Sequence, residues 1–143
     1  LMALVADHEL PFHAMTIPGS PASEVGTFAS PDALITPSCI AQAAKEDLIQ
    51  PAWKVSIVYG MPCAVYHQFP ACYYLASRYF NDFESAVLHA INGGGQNMAR
   101  AMLTGSLVGA QVGFEGIPSR FIDGLDNASE LVKRAEALAD LIK

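Results

Sequence analysis

Proline is unevenly spread along this chain, and that constrains its fold more than any other feature. Pro11, Pro18, Pro21, Pro31, Pro37 and Pro51 all fall ahead of residue 62. Each fixes its own φ and disfavours a helical conformation in the residue before it. Residues 11–37 are therefore expected to be loop and short extended pieces. Beyond residue 62 the apolar residues recur at helical spacing, so the chain reads as a loop-rich segment over 1–61 and a helical region over 62–143. The two form one domain or part of a larger one.

Within the first segment, Ser38–Ile49 reads as a short helix capped by Ser38, with Ile40, Ala43, Ala44 and Leu48 on one face. Residues 54–59 alternate and are rich in β-branched side chains, so a strand and an extended approach to Gly60 both stay open. The second segment begins with a helix whose regular part starts at Pro70 and reaches about Tyr79, with Phe69, Cys72, Tyr73 and Ala76 at helical spacing. Asp82 caps a helix from Phe83 to about Ile91, its stripe being Phe83, Val87, Leu88 and Ile91. Asn92, Gly93, Gly94 and Gly95 stop it, because glycine supplies the left-handed conformation a helix end requires. A further helix runs from Gln96 or Asn97 to Val112, and a short helical turn follows Pro118. Asn127 and Glu130 form a capping-box pattern for a last helix that buries Leu131, Ala135, Leu138 and Ile142.

Gly105, Gly109 and Gly113 recur every four residues. Each glycine inside a helix costs about 1 kcal/mol relative to alanine. Close approach of a neighbouring helix is the expected compensation. The same spacing marks membrane dimers, but the apolar run over residues 101–114 is shorter than the ~20 residues a span requires.

Several function classes are disfavoured by charge and cysteine usage. The formal net charge is −6 and the eight Lys and Arg are scattered, so neither a nucleic-acid stripe nor a membrane-binding patch is expected. Cys39, Cys63 and Cys72 make no C-x-x-C pair and read as free thiols in a reducing compartment, the cytoplasm. His8, His13, His67 and His89 show no metal-ligand spacing, and each is expected to be partly buried and hydrogen-bonded. A Cys63–His67 or Cys72–His67 nucleophile has no third member or oxyanion donor to support it. Asp7, His8 and Glu9 read as a solvated cluster, Trp53 as a loop anchor, and Tyr66, Tyr73, Tyr74, Tyr79 and Phe80 as core.

In order along the chain, residues 69–76, 82–92, 94–95, 101–110 and 116–125 resemble successive segments of the ADP-ribosylglycohydrolase family. The likeness covers about residues 62–142, and it rests on the order and spacing of its pieces. It implies an all-α fold, an orthogonal multi-helical bundle. It also implies two metal ions, usually magnesium, which hold ADP-ribose while water cleaves its bond to a protein side chain.

Gly94 and Gly95 match the paired glycines of the family's Gly-Gly-Asp-x-Asp-Thr signature, which places Gln96 and Met98 at its two acids and Ala99 at its Thr. Hard divalent ions prefer carboxylate oxygens, and a thioether is a poor substitute. The family's N-terminal acidic motifs are missing too, and the chain has no Asp-Asp pair. No metal ligand and no catalytic residue is therefore carried over. What remains is a bend of Gly94, Gly95, Gln96 and Asn97 whose backbone N–H groups are expected to hold a phosphate or a sugar hydroxyl. Three functions stay open: a glycohydrolase with altered or lost activity, a non-catalytic ADP-ribose-binding or crystallin-like relative, and an unrelated helical module for a partner chain or a second copy.

Overall fold

The structure, a computed structural model, describes residues 36–141. The loop expected over the first prolines, the Asp7–His8–Glu9 cluster, His13 and Ile142 lie outside the described residues.

Every regular element among the described residues is helical: α1 (Pro37–Lys45), α2 (Val55–Tyr59), α3 (Val65–Arg78), α4 (Phe83–Asn92), α5 (Asn97–Val112), α6 (Ser119–Asp123) and α7 (Ala128–Asp140). Short 3-10 turns at Ala52–Lys54 and Phe114–Gly116 join them. None of these helices is long and apolar enough to cross a membrane.

Helix α3 is the centre, with α1, α2, α4 and α5 packed around it. Its residues Ala71, Cys72, Tyr74, Leu75 and Ala76 are wholly buried. Small side chains let four neighbours approach, and Leu75 alone contributes roughly 2 kcal/mol by leaving water. The helix begins at Val65, five residues earlier than the proline had implied, so Pro70 sits inside it. Pro70 has no N–H to offer the carbonyl of Tyr66, four residues back, and Tyr66 is exposed so that water can serve it.

Helix α1 ends at Lys45 rather than near Ile49. Asp47 turns left-handed at φ 58°, its N–H donates to Ala44 O, and Leu48 N–H donates back to Ala43 O. That double bond pattern is a helix stop, and it carries Leu48 outward into solvent instead of onto the buried face. The start also differs: Thr36 is the N-cap and Pro37 the first helical residue, not Ser38. Ile49 N–H then donates to the Tyr74 hydroxyl at 3.1 Å, which ties the segment after α1 to α3.

Residues 54–59 form no strand: they complete the 3-10 turn and build α2. Val55 and Ser56 are buried while Ile57 and Val58 are exposed, a pairing of neighbours that alternation cannot supply. Tertiary burial here overrides β-branched propensity.

Asp82 caps α4 as expected, its carboxylate accepting from Ser85 N–H at 3.0 Å. The buried side of α4 is Ala86, Val87 and Ala90; Leu88 and Ile91 are exposed. Gly105 and Gly109 of α5 do face a neighbour, but side chains meet them: a Cβ at Gly105 would lie 3.5 Å from Val87, and one at Gly109 would lie 3.7 Å from the Phe83 ring. Gly113 takes no part in this packing and instead ends α5 at φ 73°.

The C-terminal end is looser. Phe121 of α6 meets Phe83 edge-on at 5.4 Å, and Arg120 pairs with Glu84. Asn127 adopts the left-handed conformation at the start of α7, and its side chain makes no capping bond. The face expected to be buried is open: Leu131, Ala135 and Leu138 are all exposed. Tyr66 and Phe80 are exposed too, whereas Tyr73 and Tyr74 are core.

Candidate functional site

The bend between α4 and α5 carries the four residues singled out from the sequence. Gly93 is still right-handed at φ −68°, and Gly94 and Gly95 follow at φ 68° and 61°. A side chain at either of the last two is strained, so two consecutive glycines are what the reversal requires.

The bend's amides are partly spent. Gln96 N–H donates to Met61 O at 3.0 Å and Asn97 N–H to Gly95 O at 2.8 Å. Gln96 is the N-cap of α5 but gives no side-chain capping bond, and the Asn97 side chain turns back to Ile91 O at 3.4 Å. Gly94 N–H also donates to Ile91 O at 3.4 Å, so three of the four expected ligand residues have their backbone donors committed inside the fold. The structure does bring all four residues to one corner, with Gly94, Gly95 and Gln96 exposed.

Beside that corner runs a shallow groove of about 400 Å³ lined by Gln96, Met98, Ala99, Met102, Leu103 and Ser106. Its lining carries no carboxylate, imidazole or thiolate. Among the described residues no three His, Cys, Asp or Glu side chains come together as a metal site. The side-chain donors along this groove are the Gln96 amide, the Ser106 hydroxyl and two thioethers, a set without the carboxylates that magnesium prefers.

Behind the bend lies a buried polar knot that no local sequence pattern announces. Arg100 is the lone charged residue of α5, and its side chain is wholly buried. Its Nε donates to Ala90 O at 3.0 Å, one terminal nitrogen donates to Gln68 Oε1 at 3.4 Å, and the other donates to Gly94 O. None of these acceptors is an anion. Burial pushes the guanidinium pKa down. Gln68 in turn donates to Pro62 O at 2.6 Å, and the Ser56 hydroxyl donates to Gly93 O at 2.5 Å. A Cβ at Gly93 would lie 2.8 Å from Trp53 O, 2.9 Å from Ser56 Oγ and 3.1 Å from an Arg100 nitrogen, so any side chain there would force these groups to shift. Its trace in the sequence is a single charge in a helix otherwise made of small, apolar and neutral residues.

The remaining candidates are structural. His67 places Nδ1 2.6 Å from Tyr59 O and covers Gly60, where a Cβ would collide with its ring at 2.3 Å. Cys63 precedes α3 instead of sharing a helical face with His67, and it is exposed. The Cys72 thiol contacts Arg100 O at 3.3 Å, and burial raises its pKa, the opposite of what a nucleophile needs. His89 stacks on Tyr79, its two ring nitrogens being 3.3 Å from Tyr79 Oη and 2.9 Å from Ser85 O.

Comparison with known proteins places this geometry in context. The family model described as ADP-ribosylglycohydrolase matches residues 9–143. The chain is also similar to crystallin J1A of Tripedalia cystophora, with 34% identity over 85 residues, covering 59% of this chain and 26% of that protein. The match thus spans about a quarter of the length of this curated relative. No solved structure matches the chain.

Proposed function

The chain belongs to the ADP-ribosylglycohydrolase family, and from that premise we propose that it is a non-catalytic, crystallin-like member whose glycine bend is an architectural corner and not a metal-dependent hydrolytic centre. One observation carries the reading: the buried Arg100 guanidinium donates to Gly94 O, directly behind the place where the resemblance would put a cation pair. A divalent ion seated at the bend would meet that fixed positive charge, and like charges repel. Gln96 and Met98 bring no negative charge to offset this. The similarity to a crystallin supports the same reading.

The competing reading is that the bend retains an ADP-ribose-like ligand without turning it over. The exposed amide side chain of Gln96, next to the groove, favours it. One set of measurements separates the two. Incubation with ADP-ribosylated protein and magnesium should release no ADP-ribose, and the melting temperature should not move with free ADP-ribose. Magnesium-dependent release would overturn the proposal. A rise in melting temperature without release would favour the binding reading.

A further inference from the structure

We propose that Arg100 is the bend's resident cation: its buried guanidinium, fixed to the chain, holds the α4–α5 reversal in shape, so that the corner forms without any divalent metal. This role concerns how the corner is held and does not depend on the non-catalytic reading above.

The geometry points this way from three sides. First, the side chain is wholly buried and it donates to neutral oxygens: Ala90 O, Gln68 Oε1 and Gly94 O. A charge taken out of water with no anion beside it is costly, and such groups persist where several oriented dipoles compensate. Second, the acceptors come from separate elements. Ala90 lies on the last turn of α4, Gly94 in the bend and Gln68 on α3, while Arg100 belongs to the first turns of α5. A planar guanidinium with several donors in a fixed fork can reach all three at once, and a lysine ammonium on the same stem cannot. Third, the acceptors on α4 and the bend are carbonyls at a helix C-terminus. These carry partial negative charge and lack helical partners, so a cation satisfies them and opposes the dipole. The space is cleared for this group: a Cβ on Gly93 would stand 3.1 Å from the guanidinium nitrogen.

The test compares the wild-type chain with Arg100→Lys and Arg100→Met. Melting temperatures are measured in EDTA and in millimolar magnesium, and amide hydrogen exchange is followed at Gly93–Asn97 against amides inside α4. The wild type should melt at the same temperature in both buffers. Arg100→Met should lose protection at the bend by at least about tenfold more than at the α4 interior, a local opening rather than a uniform one. Arg100→Lys should fall between the two, keeping the charge but losing the fork. If Arg100→Met does not fold, Arg100→Ala with millimolar ethylguanidinium tests the same point, because the added cation should restore bend protection. Magnesium stabilisation of the wild type would overturn the proposal. So would bend exchange unchanged in Arg100→Met, a lysine variant matching wild type, or no rescue by ethylguanidinium. Turnover of ADP-ribosylated protein with no magnesium stabilisation of the wild type would overturn the functional reading above and leave this one standing.

Discussion

Helices α3 and α7 are of similar length, 14 and 13 residues, yet the fold uses them in opposite ways. Helix α3 is surrounded by α1, α2, α4 and α5 and buries eight of its residues. Helix α7 is the more regular amphipath by sequence and buries none. Its Glu130–Arg134 pair, at helical spacing, is exposed and contributes at most ~0.5 kcal/mol. The contrast separates two things that apolar periodicity runs together. Periodicity says which side of a helix would be buried; whether a neighbour arrives to bury it depends on the rest of the fold. Helix α3 shows the converse, because residues 70–76 are buried consecutively and no stripe could have announced it.

The sharpest way to break this comparison is to make one chemical change at both ends. Leu75→Ala removes a wholly buried side chain and should cost about 3 kcal/mol in chemical denaturation, with the loss set by how far the cavity collapses. Next in size is Gly93→Ala. Its new methyl would press on Trp53 O and Ser56 Oγ, and a loss of about 2 kcal/mol is expected. A neutral result there would mean that the polar knot gives way easily and that α3 and the bend are less tightly coupled than their bonds suggest.

Asp82→Ala should cost about 1 kcal/mol by removing the cap of α4. This effect should depend on pH. Bonds from the Ser85 hydroxyl and N–H hold the Asp82 carboxyl below the usual aspartate range. A depressed folded-state pKa gives stability that is present above the unfolded value of about 3.9 and is lost as pH falls through the folded one. The gap between wild type and variant should therefore close in acid, and a gap constant down to pH ~2, below that unfolded value, would argue against the cap. Smallest of all, Leu138→Ala should change stability by less than about 0.5 kcal/mol. A cost of about 2 kcal/mol would show that something covers α7 in solution.

Much of the helical half was legible in the sequence because its signals are local. Asp82 three residues before Ser85, the glycines after Asn92 and the proline before Ser119 each act through the backbone beside them. What escaped notice depends on distance along the chain. The knot joins Arg100 to Gln68, 32 positions away, and Ser56 to Gly93, 37 away, and no window of sequence contains either pair. Helix α2 escaped for a related reason: Val55, Ile57 and Val58 favour an extended chain, and burial of Val55 and Ser56 decides otherwise. At the site, the sequence identified the corner and its missing acids. It did not reveal that Gln96 N–H and Asn97 N–H are already bonded within the fold, since Met61 reaches Gln96 only in three dimensions.

The three thiols are unequal, and that gives the molecule a built-in reporter. Cys39 and Cys72 are sealed in the interior, while Cys63 opens to solvent two residues from Met61, whose carbonyl receives the Gln96 amide. A maleimide dye added to the native protein should therefore attach at one place, next to the glycine corner. Its fluorescence would report on that corner's motion without any engineered cysteine.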